Sequence, residues 1–260
     1  MKIKNDFLKI GNEKIAIKLL NHSKSVKAEN TIVLLHEGLG SIEMWKDWPT
    51  ELALKTKMNL VLYSRIGMGK SSEEKIKKKT NFLENEALYY LPKVINDYCN
   101  ISPILLGHSD GASIALIYAG NKLPCKGLIL EAPHVFVEKI TINEIKNIKK
   151  IWKINNLKEK FSKYHNDPEK TFKSWCEVWL SKGFSKWNIT NLLGNISCPS
   201  LVIQGANDQY GTLKQIDLIE KYSSSLVKKV IIDNCKHSPH LEKPKLVVDY
   251  IEKFIQYNLN

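Results

Sequence analysis

The segment Gly107-His108-Ser109-Asp110-Gly111 holds a serine with a glycine two residues to either side. It follows the apolar run Pro103-Ile104-Leu105-Leu106 and precedes Ala112-Ser113-Ile114-Ala115-Leu116, so a strand, a sharp turn and a helix are expected in that order. Such a turn strains its central residue, and the glycines let strand and helix approach without Cβ clashes. The Ser109 hydroxyl would then stand clear of the backbone at a helix N-terminus, where negative charge is stabilised. A bare G-x-S-x-G arises by chance, and an ordinary helix-capping serine is the bland alternative. The strand–turn–helix context gives the motif its weight.

A serine hydroxyl is a weak nucleophile at neutral pH and needs a base, which in turn needs an orienting acid. In this chain order the acid should follow a late strand and the histidine should come last. The run Pro199-Ser200-Leu201-Val202-Ile203-Gln204-Gly205 leads to Asp208, and the run Val230-Ile231-Ile232 leads to His237. Both fall in loops at strand C-terminal ends, where open α/β sheets gather their sites. Close by, Asp233 is too near His237 in sequence to serve its far nitrogen easily. His240 reads as a packing or capping residue of the final helix, and His108 as a structural neighbour of the serine. His22, His134 and His165 lack motif context and read as solvated or incidental, although His134, at the lid entrance, could touch substrate.

A tetrahedral intermediate needs preorganised donors for its oxyanion. The backbone N–H of Asp110 is one candidate. The other is the N–H of Gly38, with Leu39 as the alternative, in the loop His36-Glu37-Gly38-Leu39-Gly40-Ser41.

Positioning these groups takes an α/β scaffold. Uninterrupted apolar runs at 31–35, 59–63, 103–106, 127–130, 200–204 and 228–232 suit strands buried on both faces of a parallel sheet. Residues 6–19 alternate around Gly11-Asn12 and predict a β-hairpin. Helix-like stretches lie between most runs. One, over 83–99, has an apolar stripe of Leu88, Leu91, Val94 and Ile95. The last, about 243–258, places Leu246, Val247, Tyr250, Ile251, Phe254 and Ile255 on one face. Helices on both faces of one sheet are expected.

One interval breaks this rhythm. Residues 134–197 have no strand-like run, hold four of the six tryptophans, and carry 12 Lys against 6 acidic residues. That is too long for a plain connection. It predicts a helical lid (cap) over a core formed by 1–133 and 198–260.

With 260 residues and 43% hydrophobic content, the chain has ample material for a core without metal or disulfide staples. The 13 Gly and 9 Pro are dispersed, which excludes collagen-like and disordered classes. The net charge of +12 comes from Lys, with Arg65 the single arginine. Nucleic-acid readers lean on arginine, so no nucleic-acid partner is expected. An anionic small molecule would fit the lysine excess. The five Cys form no CxxC and predict neither a zinc site nor a disulfide framework. No apolar run reaches the ~18 residues of a membrane span, and no signal peptide is evident. A cytoplasmic protein is expected, with its oligomeric state unreadable.

Five patterns, in order, resemble the α/β-hydrolase superfamily in its lidded group of small-molecule serine hydrolases. They are the HxGxGS-like loop at 36–41, Ser64-Arg65-Ile66-Gly67-Met68-Gly69-Lys70-Ser71, the turn at 107–111, PSLVIQGAND at 199–208, and His237-Ser238-Pro239-His240-Leu241-Glu242-Lys243-Pro244. The resemblance spans about residues 31–255. It implies an eight-stranded, mostly parallel sheet with a helical lid, and catalysis by Ser109, His237 and Asp208 with no cofactor or metal. Arg65 resembles a loop-bracing position. The chain departs from the pattern at Glu37 and Lys236, where relatives carry Gly, and at Asp110, where many carry an apolar residue or Gln.

The expected reaction is cleavage of a carboxylic ester or thioester of a small molecule through an acyl-enzyme on Ser109. C–C bond hydrolysis by the same triad, or ligand binding without turnover, are the alternatives. Serine in place of a carboxylate nucleophile excludes dehalogenase and epoxide hydrolase chemistry. No amine-binding carboxylate pair stands out in the lid, which argues against a peptidase.

Overall fold

In the computed structural model, residues 1–21, 30–75, 77–99, 102–152 and 156–259 are described. His22 lies outside them. The apolar runs form strands, with β1 (Lys2–Ile10) and β2 (Glu13–Asn21) as the hairpin, then β3 (Thr31–Leu35) and β4 (Asn59–Tyr63). The rest are β5 (Ile104–His108), β6 (Gly127–Glu131), β7 (Ser200–Gly205) and β8 (Val227–Ile232). They make one eight-stranded sheet in the order β1-β2-β4-β3-β5-β6-β7-β8. β1 and β2 pair antiparallel, as do β2 and β4, and every later pairing is parallel.

Side chains alternate across a strand, and both faces of this sheet are covered. Val33, Leu35, Leu105, Leu128, Leu130 and Val202 pack into one core layer. Ile32, Leu34, Ile104, Leu106, Ile129, Leu201 and Ile203 pack into the other. The helices are α1 (Trp48–Thr56), α2 (Phe82–Asn85), α3 (Leu91–Tyr98), α4 (Asp110–Gly120), α5 (Lys139–Ile151), α6 (Leu157–Phe161), α7 (Pro168–Trp179), α8 (Lys214–Tyr222), α9 (Pro239–Glu242) and α10 (Pro244–Asn258). α1 and α10 cover the second layer, while α3, α4 and α8 cover the first. Every residue of α4 is buried, which explains its Gly/Ala-rich, non-amphipathic sequence.

Two helical faces differ from the sequence expectation. In the 83–99 stretch Leu88 is exposed, and the buried apolar positions are Leu83, Ala87, Leu91 and Val94. A π-helical turn over Glu86–Tyr90 joins α2 to α3, and its wider turn rotates Leu88 out of the 3.6-residue stripe. In α10, Leu246 is exposed and Val248 is buried instead. The buried stripe there runs Val247, Val248, Ile251 and Phe254, and Tyr250 and Ile255 pack at its margin.

Between β6 and β7 the described residues form α5, α6, α7 and two 3-10 turns, with an isolated bridge between Phe136 and Asn188 as their sole strand-like pairing. Trp152, Trp175, Trp179 and Trp187 are all buried in the layer that also holds α4. Trp152 stacks on Phe172 at 3.8 Å between ring centroids, which ties the end of α5 to α7. No helix among the described residues is long and apolar enough to cross a membrane.

Candidate active site

The turn between β5 and α4 places Ser109 at φ 54° and ψ −116°. A non-glycine residue there is strained, and the strain is held by its surroundings. Ser109 N–H donates to the Glu131 carbonyl of β6 at 2.8 Å. A Cβ on Gly111 would stand 1.9 Å from the Leu35 carbonyl oxygen, so glycine alone lets α4 seat against the end of β3. Asp110 begins α4, and its N–H therefore has no intrahelical acceptor.

His237 Nε2 lies 2.9 Å from Ser109 Oγ. Its Nδ1 lies 2.8 and 2.9 Å from the two Asp208 carboxylate oxygens. Three side chains separated by about a hundred residues and by thirty thus form one hydrogen-bonded row. Asp208 is fixed in turn. Its Oδ1 accepts from Tyr210 N–H at 2.8 Å, and its Oδ2 from Gln204 Nε2 at 3.3 Å. Burial pushes the Asp208 carboxyl up, but the His237 ring beside it outweighs that and leaves it below its ordinary value. Asp233, the nearby competitor, is exposed.

The loop carrying Gly38 and Leu39 borders the same cavity. Gly38 is buried and Leu39 half-buried. The loop is tied down at several points. Arg65 Nη2 donates to the Glu37 carbonyl at 2.5 Å, and Arg65 N–H donates to His36 Nε2 at 3.1 Å. His165 accepts from Gly69 N–H at its Nδ1 and donates from Nε2 to the Leu39 carbonyl at 2.9 Å. His165 was without motif context in the sequence, and nothing in its neighbours could have revealed this role.

Two of the departures noted in the sequence, the half-buried Glu37 and the buried Asp110, face basic side chains. Glu37 Oε2 faces His108 Nδ1 at 3.6 Å. Burial pushes the Glu37 carboxyl up, yet His108 and His36 bring it far below the carboxylate range. Burial likewise lowers His108, and Glu37 reverses this so that the imidazole is held above its ordinary value. Asp110 Oδ2 lies 3.7 Å from Arg65 Nη1. Burial leaves the Asp110 carboxyl raised, with Arg65 pulling against it. Lys236 is exposed, and its N–H donates to Glu242.

His240 packs against Trp45 and Trp48, and both its N–H and its Nδ1 bond Glu131 Oε2, at 3.0 and 2.9 Å. His134 is buried with its ring centroid 5.8 Å from that of His237, and burial pushes it down to about 3.

Over Ser109 lies a cavity of about 260 Å³, lined also by Thr141, Ile145, Trp175 and Trp179 from α5 and α7 and by Tyr210. No lysine lines it. Larger clefts of about 560 and 540 Å³ lie away from Ser109. No cluster of three or more metal-ligating side chains occurs among the described residues.

The family pattern described as Serine aminopeptidase, S33 matches residues 27–244. Over 256 residues the chain is 28% identical to a Mycoplasma genitalium protein named "Putative esterase/lipase 2", covering 89% of this chain and 91% of that one. Among solved structures, a carboxylesterase of the thaumarchaeon Nitrososphaera gargenis superposes with a TM-score of 0.78 at 16% identity, over 96% of this chain and 98% of the other. The esterase RhEst1 from Rhodococcus sp. ECU1013 superposes with a TM-score of 0.73 at 17% identity, over 100% of both chains. These structural likenesses are likenesses of fold. The sheet order, the topology and a family match over most of its length agree, and the chain belongs to the Serine aminopeptidase, S33 family of α/β-fold hydrolases.

Proposed function

We propose that the protein hydrolyses a carboxylic ester or thioester of a small molecule through an acyl-enzyme on Ser109. The observation that carries this reading is the unbroken row Ser109 Oγ–His237–Asp208, with the serine on a strained turn at the start of α4. His237 Nε2 takes the hydroxyl proton as Oγ attacks the carbonyl carbon. Asp208 holds the Nδ1–H tautomer and stabilises the ring once it is charged. The oxyanion forms between the N–H groups of Asp110 and Gly38. His237 returns the proton to the leaving oxygen or sulfur. It then activates the water that releases the acid.

Residues 134–197 act as a lid in this reading, since α5 and α7 supply one wall of the cavity. The two acids at the cavity, Glu37 and Asp110, already face His108 and Arg65. A peptide's ammonium terminus bound to Asp110 would have to settle beside the Arg65 guanidinium, which favours ester chemistry.

The test is a panel of p-nitrophenyl esters and acyl thioesters with wild type and Ser109→Ala. Loss of one triad member in comparable enzymes costs on the order of 10⁴–10⁶ in kcat. Equal turnover by Ser109→Ala would remove this serine from the chemistry.

A further inference from the structure

The wall of the Ser109 cavity carries more hydrogen-bonding capacity than the triad uses. Asp110 Oδ2, Trp175 Nε1 and Trp179 Nε1 are buried without a hydrogen-bond partner. The three residues are 1%, 6% and 1% exposed. All three line the cavity, and they meet at one corner. A Cβ on Gly38 would stand 2.2 Å from Trp175 Nε1 and 3.0 Å from Asp110 Oδ2. The Trp179 indole N–H lies near enough to Asp110 to join Arg65 in pulling its carboxyl back against the rise that burial imposes. Buried polar groups are almost always satisfied, so such a concentration at a ligand cavity points to a ligand group that completes it.

The corner combines indole N–H donors with a carboxyl acceptor, and this selects the chemistry of the group. A plain alkyl chain satisfies neither. An ammonium group serves Asp110 but meets two indole N–H donors and the Arg65 guanidinium behind them. A carboxylate serves the indoles but meets Asp110. A hydroxyl both accepts and donates, so it can take an indole N–H and give its own proton to Asp110 Oδ2.

The side of the substrate follows from the proton path. The leaving oxygen must depart toward His237 Nε2, whose ring packs against Tyr210 at 4.5 Å and His134 at 5.8 Å. The Gly38–Trp175 corner is left for the acyl part.

We propose that Asp110, Trp175 and Trp179 form a specificity subsite for a hydroxyl on the acyl group, close to the scissile carbonyl, so that short hydroxyacyl esters are the preferred substrates. This rests on the ester-hydrolase reading. It adds to that reading a discrimination that a lost hydrogen bond makes large, because removing the ligand hydroxyl leaves buried partners unmatched.

The experiment compares ethyl butyrate, both enantiomers of ethyl 3-hydroxybutyrate, ethyl 3-aminobutyrate and 2-hydroxyethyl butyrate by pH-stat titration. Wild type, Trp175→Phe and Trp179→Phe are assayed in parallel. In wild type, kcat/KM for one hydroxybutyrate enantiomer exceeds that for ethyl butyrate by at least about tenfold. In Trp175→Phe that ratio collapses several-fold, because the ring remains and the N–H is gone. Trp179→Phe shifts the ratio in the same direction and stands in should the first variant fail to fold. A wild-type ratio near one overturns the subsite, as does preference for the amino ester or for the 2-hydroxyethyl ester. So does a ratio that a folded Trp175→Phe leaves unchanged. Hydrolysis of the unsubstituted ester with a ratio of one removes the subsite alone. Absence of hydrolysis of all five, with no fluorophosphonate adduct on Ser109, removes the hydrolase reading with it.

Discussion

His108 Nε2 donates a hydrogen bond to the backbone carbonyl of His237 at 2.7 Å. On its other side the same ring faces Glu37 across 3.6 Å. His108 therefore joins three loops: the one bearing Gly38, the turn bearing Ser109, and the one bearing His237. The Glu37 carboxylate outweighs the effect of burial and holds the His108 imidazole above its ordinary value. The link ties the backbone of His237 to the turn that carries Ser109.

His108 is accordingly a positioning residue, and its loss acts on kcat more than on KM. His108→Ala lowers kcat by up to about 10²-fold, the cost of a small misplacement of a reacting group. KM changes far less. His108→Gln, which restores a donor, recovers part of the loss. Steady-state kinetics of the two variants checks this, and equal, small effects on kcat and KM in both would contradict it.

His240 contributes to stability. Glu131 is fully buried at the end of β6, and its Oε2 accepts two bonds from His240. His240→Ala leaves a buried carboxylate without its partner and costs roughly 3–5 kcal/mol in urea unfolding. The double variant His240→Phe with Glu131→Gln recovers most of that cost, because the unpaired charge goes with its partner. A double variant as unstable as the single one would assign the loss to packing against Trp45 and Trp48.

His134 makes the fold acid-sensitive. Burial first, and then the neighbouring His237, push its ring down to about 3 from the ordinary 6.5. Between those values the unfolded chain binds a proton that the native ring refuses. Stability from this site is therefore full above pH 6.5 and declines as the pH falls toward 3. His134→Gln loses less Tm than wild type between pH 7 and pH 5. Calorimetry at the two pH values measures the difference, and parallel losses would contradict the assignment.

The strands were legible because burial on both faces leaves continuous apolar runs. Thr31–Leu35 and Asn59–Tyr63 match the sequence reading residue for residue. The fold class and the hydrolase reading were legible too, since the turn, acid and histidine motifs must follow strand ends. Helix faces were less so. Leu88 and Leu246 fit a 3.6-residue period on paper, but a π-helical turn displaces one, and Val248 takes the buried place of the other. Partnerships across the chain left no local trace. Glu131 with His240, Arg65 with Asp110, and Cys125 with Cys198, whose sulfurs lie 3.5 Å apart, are set by sheet order rather than by spacing. The sequence places four tryptophans in the 134–197 interval, and only the fold reveals that Trp175 and Trp179 line the cavity over Ser109.

The central claim is that Ser109 becomes covalently acylated with His237 as its base. Intact-mass and peptide spectrometry after brief mixing with a p-nitrophenyl ester, quenched in acid, tests it directly. The account predicts one acyl group per chain, located on the peptide containing Ser109, and absent from Ser109→Ala and His237→Ala. Full turnover with no acyl adduct, or an adduct that persists undiminished in Ser109→Ala, would contradict it.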